Sequence, residues 1–215
     1  MLAFESMDER EAWVENGDVL MVDEQNAFEE TIGYETIDGN STTHVDHRRD
    51  PAPNGDDDYE SLHVLFRKNE GTSIEQFHEY IAEEFVPSLA ESDDLLRLRS
   101  HLIEGYDNSI DQPPAPNVSH DAPPEKQYQA ALDIAFDDRL ALERFFDSSA
   151  YTRTEERQPE YIERIHAFPV RNTYVHNYDG EMTIAGQRGA TVAETIADIG
   201  ARNQTTDETL DHFRK

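Results

Sequence analysis

The stretch Ser61-Leu62-His63-Val64-Leu65-Phe66-Arg67 sets the reading of the whole chain. Leu62, Val64 and Phe66 fall on one side of an extended backbone, and His63, Leu65 and Arg67 on the other, which is the alternation of a strand with one buried face. After Gly71 come Ser73 and, three residues on, Gln76, the residues of a capping box. Ile74, Phe77, Ile81 and Phe85 then recur at helical spacing, and Pro87 is expected to stop that helix. Arg97 to Ile103 alternates again, with Leu98 and Leu102 opposite Arg97, Arg99 and His101. Gln129 to Phe136 reads as a third strand, with Leu132, Ile134 and Phe136 on one face and Asp133 on the other. Leu142, Phe145 and Phe146 mark a second helix. Ile165 to Tyr174 gives a fourth strand, which Pro169 assigns to a sheet edge.

The order is therefore β-α-β-β-α-β, an α+β chain of ferredoxin-like topology. That topology places the first and third strands together at the sheet centre and both helices on one face. The other face then needs a cover, and a second sheet is the expected one. Outside the module, Gly39 to Asp58 reads as an acidic linker with Pro51, Pro53 and Gly55. Asp107 to Gln127 carries five of the ten prolines and reads as a long loop within a module spanning 59–176. Residues 1–38 align weakly with the second half of that module, Ala3-Phe4-Glu5 with Ala135-Phe136-Asp137 and Phe28 to Ile32 with Tyr161 to Ile165. They read either as a half module or as an unrelated hairpin. A half module would be completed by another chain, or would follow from a start assigned too far downstream. In the segment 177–215, Thr191 and Glu194 form a second capping-box pattern. Val192, Ile196 and Ile199 give a buried stripe, and Gly200 ends the helix.

Composition removes several classes of function. The 215 residues hold 47 acidic and 18 basic side chains, a net charge of -29. Phosphate neutralisation needs clustered Lys and Arg, so no nucleic-acid partner is expected, and an anionic membrane surface would repel the chain. No apolar run is long enough to span a bilayer, and the first residues do not read as a secretory leader. A cytoplasmic location is expected. A large carboxylate surplus suits a high-salt cytoplasm, where screening shortens the repulsion, so a halophilic protein is the reading. An acidic mesophilic protein is the alternative. The absence of cysteine excludes disulfides, thiolate nucleophiles and thiolate metal sites.

The run from Leu65-Phe66-Arg67-Lys68 through Gly71, Ser73, Glu75, Phe77, Tyr80 and Glu83 to Pro87 resembles the EthD-like family of the dimeric α/β-barrel superfamily. Gly186-Gln187-Arg188-Gly189 and Gly200-Ala201-Arg202-Asn203-Gln204 look like the ending of tandem members. The resemblance covers about half of the chain, and implies two four-stranded sheets face to face around a largely apolar pocket. It implies a homodimer or other oligomer formed through the open sheet, and a small, largely apolar organic ligand. Relatives range from cofactor-free monooxygenases and isomerases to haem enzymes and non-catalytic partners. The family pattern places a histidine where this chain has Phe85, which puts any chemistry needing that histidine in doubt.

Side-chain parity supplies the candidate site. His63 and Asp133 both point away from the helices on neighbouring strands, so an Asp-oriented His general base is the sharpest candidate for catalysis. Arg99 and His101 share the face as binding groups for an oxyanion or carboxylate, and Tyr80 joins them as a candidate for binding, although a core role suits it too. The same residues would equally make an ion-pair cluster in a sheet-to-sheet interface. His44-Val45-Asp46-His47 has metal-binding residue types but reads as solvated loop, and no metal is expected. No cofactor is expected either. Haem stays open, because His78, His120, His166, His176 and His212 cannot be ranked as axial ligands from sequence, although His78 reads as facing solvent. Dinucleotide, Walker and serine-hydrolase motifs are missing from the sequence. Three roles follow: an EthD-like enzyme, of oxygenase or isomerase type and independent of dinucleotides; a non-catalytic ligand-binding module; and an assembly subunit.

Overall fold

The computed structural model describes residues 39–50, 58–104 and 126–204, with positions 8, 12, 26, 29–34, 36, 53, 55, 118, 119, 122, 123, 206 and 209. The proposed half module at 1–38 and the proline-rich loop therefore lie largely outside the described residues. The chain divides into two compact units, one of Met1–Ile37 with Ile103–Gln127, the other of Asp38–Leu102 with Tyr128–Lys215. In the first, Glu30 and Ser119 form a parallel bridge, with Thr31 N donating to Ser119 O at 2.9 Å and Ser119 N to Glu29 O at 3.0 Å. The loop thus shares a unit with the N-terminal segment.

The second unit carries the sheet. Its strands are β1 (Ser41–Asp46), β2 (Glu60–Lys68), β3 (Leu95–Leu102), β4 (Ala130–Phe136) and β5 (Ile162–Val170). They lie in the order β1-β3-β4-β2-β5, and every neighbouring pair is antiparallel. Strands β2 to β5 have the ferredoxin-like order, with β2 and β4 at the centre. Strand β1 is an addition on the β3 edge. Ser41–Asp46 lies in the segment whose composition reads as linker, and its β-branched Thr42, Thr43 and Val45 explain why it pairs instead. Gly39, at φ +88°, turns the chain into it.

Helices α1 (Ile74–Tyr80) and α2 (Val86–Ala90) follow β2, and α3 (Arg139–Asp147) follows β4. The capping box at Ser73 and Gln76 forms with both bonds at 3.2 Å, and Asp138 caps α3 by accepting from Ala141 N at 2.8 Å. Pro87 does not stop the first helix. A π turn over Ile81–Phe85 sits between α1 and α2, with Val86 N donating to Ile81 O. The wider turn accommodates the proline, which falls at the start of α2 directly after it. It also keeps Phe77, Ile81, Phe85 and Leu89 on one face. These residues are spaced by four, and a plain 3.6-residue helix would rotate them gradually off the core.

All four side chains are almost fully buried, together with Phe66, Leu98, Leu132, Phe136 and Phe145. Phe66 and Phe85 meet edge to face at 5.6 Å between ring centres. Phe85 is thus core. Short helices α4 (Ser149–Thr152) and α5 (Gln158–Tyr161) lead into β5.

The C-terminal segment has its own small core of Ile184, Ala185, Ala193 and Ile196. It is built from the hairpin β6 (Asn177–Tyr178) and β7 (Glu181–Met182), then α6 (Ile184–Arg188) and α7 (Ala190–Asp198). Here two sequence expectations fail. Helix α7 begins at Ala190 with Gly189 as its cap and no side-chain cap bond, while Glu194 instead accepts from Tyr174 Oη at 3.1 Å and Asn172 Nδ2 at 3.2 Å. Ala193 and Ile196 are the buried positions, and Val192 and Ile199 are exposed. Gly200, at φ +63°, does end the helix. Its N–H bonds Ala197 O and that of Ala201 bonds Ile196 O, a Schellman turn. Arg188 Nη1 donates to Gln204 Oε1 at 2.7 Å and ties the helix ends together.

Candidate functional site

The face of the sheet opposite the helices carries the polar residues. Register sets Arg99 across from Asp133 on β4, Asp133 across from His63 on β2, and His63 across from Phe168 on β5. His101 is diagonal to Asp133, and Ser41 of β1 stands across from His101. Asp133 is flanked two residues either way by Ala131 and Ala135. Those small side chains leave room for longer ones to converge on the carboxylate.

They do converge. His63 Nδ1 lies 2.9 Å from Asp133 Oδ1, and His101 Nε2 lies 3.2 Å from Asp133 Oδ2. His101 Nδ1 is in turn 2.8 Å from Ser41 Oγ. One hydrogen-bonded chain, Ser41–His101–Asp133–His63, thus crosses four strands. His101 is 5% exposed, and His63 and Asp133 are each 27% exposed in their side chains. Burial would push the Asp133 carboxyl up, but the hydrogen bonds from His101 and His63, with their charges, outweigh it and hold it well below the usual carboxylate range. An ionised carboxylate only accepts, so each ring nitrogen facing it carries a proton. That fixes the tautomers of the neutral rings. His63 keeps its lone pair on Nε2, and His101 keeps its own on Nδ1, toward the Ser41 hydroxyl.

Arg97 and Arg99 stand on the same face, each with a buried Nε that makes no hydrogen bond. Asp46 at the end of β1 is held by Arg48, whose Nε and Nη2 reach its two oxygens at 2.9 and 2.7 Å. These bonds keep the Asp46 carboxyl below its ordinary value. On the far side of His63, Tyr128 Oη and His166 Nδ1 are 2.7 Å apart.

Tyr80 does not join this face. It lies in the hydrophobic core on the helix side, stacked on Tyr161 at 4.2 Å. Burial and the nearby Glu84 carboxylate push its phenol up to about 12, and its hydroxyl makes no hydrogen bond. Of its two expected roles, binding and core, Tyr80 takes the core one.

His78 likewise does not face solvent: its Nε2 is 2.9 Å from Gln129 O. His44, the extra residue of a bulge between Thr43 and Val45, meets Ser100 Oγ at 2.9 Å, and burial lowers its pKa. His44, Val45 and Asp46 are therefore strand, with His44 on Ser100 and Asp46 on Arg48, and His47 follows the strand end. Among the described residues no group of three His, Asp or Glu is placed to hold a metal. His120 and His212 lie outside the described residues. Ser41 was missed from sequence, because its segment read as linker and a lone serine carries no motif. The Thr- and Val-rich run after Gly39 was the available signal.

No helix among the described residues is long and apolar enough to cross a membrane. No family model and no curated protein matches the chain. Among solved structures it is similar to the At3g17210 protein of Arabidopsis thaliana, at 11% identity and a TM-score of 0.39, covering 54% of this chain and 97% of that one. It is also similar to a dimeric protein of unknown function with a ferredoxin-like fold from Bacteroides fragilis, at 12% identity and a TM-score of 0.37, covering 53% of this chain and 96% of that one. Each likeness spans about half of this chain.

Proposed function

We propose that the sheet face opposite the helices is a general-base site acting on a small, largely apolar organic molecule that carries a weakly acidic C–H, in an EthD-like protein. The observation that carries this reading is the bond from His63 Nδ1 to Asp133 Oδ1, which leaves Nε2 as an oriented base. Asp133 stabilises the imidazolium formed when His63 takes a proton. Arg99, in register with Asp133, supplies positive charge for the enolate or carboxylate that develops. Isomerisation and cofactor-independent oxygenation both begin with such a proton abstraction.

The test needs no knowledge of the natural substrate. Ring opening of 5-nitrobenzisoxazole is a one-step proton abstraction with a coloured product. Wild type is expected to exceed free imidazole at equal concentration, and His63→Ala and His63→Gln to lose that excess while still folding cooperatively, with a melting temperature lowered by no more than the loss of one hydrogen bond to Asp133 accounts for. A rate no greater than imidazole, or one that survives both substitutions, would overturn the reading. Phe168, beside His63 and 50% exposed, favours a second reading in which this face joins two copies of the chain. Light scattering of Phe168→Glu in molar salt tests it: loss of a wild-type dimer supports the interface, and a wild-type monomer refutes it.

A further inference from the structure

We infer that the Ser41 end of the same hydrogen-bonded chain is a nucleophilic site, in which Ser41 Oγ, activated by His101, accepts an acyl group from a small ester or thioester. Three observations carry it. Ser41 Oγ lies 2.8 Å from His101 Nδ1, and His101 Nε2 lies 3.2 Å from Asp133 Oδ2, so a hydroxyl, an imidazole and a carboxylate stand in bonded series. The ring is used in the opposite sense from the familiar serine triad, with Nδ1 toward the hydroxyl. Either nitrogen can act as base, and which one is free is set by the bond the other makes.

The strand register supplies the second observation. Leu102 N donates to Asn40 O at 2.8 Å, so Ser41 and His101 form the neighbouring, non-hydrogen-bonded pair. Such pairs bring side chains closest, and they aim the Ser41 N–H outward along the edge of β1. A nucleophile's own N–H is one of the donors an oxyanion needs. The third is Arg99, diagonal to Ser41 on this face, with its buried Nε unbonded. It offers a cationic second donor.

In the step itself, the Ser41 Oγ–H proton moves to His101 Nδ1 as Oγ bonds the carbonyl carbon and the C=O electron pair shifts onto oxygen. Collapse of that adduct expels the alcohol or thiol, which takes the proton back from Nδ1. Water repeats the sequence to release the acid, so ester and water become acid and alcohol. Asp133 stays ionised throughout as a positioning residue.

This inference rests on Asp133 and Arg99, as the general-base reading does, but on Ser41 and His101 rather than His63, so the two fail separately. The experiment is labelling by an alkyl fluorophosphonate at neutral pH, read by intact mass and peptide mapping. One adduct at Ser41 is expected. It should be absent in Ser41→Ala, slowed roughly 100-fold or more in His101→Gln, and retained in His63→Ala. No adduct, or an adduct that persists in Ser41→Ala, overturns the inference.

Because the chain has no cysteine, Ser41→Cys gives a protein with a single thiol, and this variant keeps His101 in place. Its alkylation by iodoacetamide should show a pH midpoint below the value of about 8.5 for a free thiol, and the midpoint should rise when Asp133→Asn is added. A midpoint at or above the free value would refute activation by His101.

Discussion

Asp133→Asn keeps the shape of the side chain and removes its charge, which makes it the most informative single change. The two carboxylate oxygens accept from His63 Nδ1 at 2.9 Å and His101 Nε2 at 3.2 Å. An amide has only one acceptor oxygen, so one imidazole would face an NH2 group and must change tautomer. For His101 that change would put a proton on Nδ1 and reverse its bond with Ser41. Hydrogen bonds to a charged group contribute about 1.5–3 kcal/mol each. Turning one into a neutral bond and forcing the other to reverse is expected to cost about 2–4 kcal/mol. For a chain of this length that is a fall of roughly 5–15 °C in melting temperature.

The pH dependence discriminates further. A carboxyl held below its ordinary value in the folded state contributes stability that is complete above its unfolded pKa, about 3.9. That contribution is lost as pH falls through the folded value. The gap between wild type and Asp133→Asn should therefore be widest near neutrality and close on acidification below about pH 4. Denaturant melts across this range, in molar salt to screen the surface charge, measure it directly. Equal stability of the two proteins at neutral pH, or a gap that does not narrow in acid, would refute the account of Asp133 as the ionised hub.

Two further predictions concern the scaffold. Phe66→Ala removes a ring that is 2% exposed and packs edge to face on Phe85. It should cost about 3–5 kcal/mol in denaturant melts, against less than about 0.5 kcal/mol for Leu140→Ala on the exposed side of α3. Gly186→Ala would set a Cβ 2.2 Å from His176 O, a backbone atom that cannot swing aside. It should loosen β6, β7, α6 and α7 while leaving the sheet intact, seen as faster proteolytic cleavage after residue 175 with an unchanged main transition.

The alternation of Leu62, Val64 and Phe66 against His63 and Leu65, repeated in 97–103 and 129–136, was enough to give the β-α-β-β-α-β order. It also gave the face on which His63, Asp133, Arg99 and His101 stand, because parity along a strand is fixed by covalent geometry. The order of strands then makes His63 and Asp133 neighbours. Local caps at Ser73 and Gly200 were legible because they depend on residues three to five apart.

What the tertiary structure decided is everything that depends on partners distant in sequence. Thr191 and Glu194 had the right spacing for a cap, yet Glu194 bonds Asn172 and Tyr174 instead. Pro87 is a helix breaker only until a π turn accommodates it. Tyr80 and Phe85 are core because the sheet lies beneath their helix. Ser41 meets His101, 60 residues away, because β1 joins the edge of β3. That pairing comes from backbone hydrogen bonding along an open edge, which no periodicity within Ser41–Asp46 could have specified.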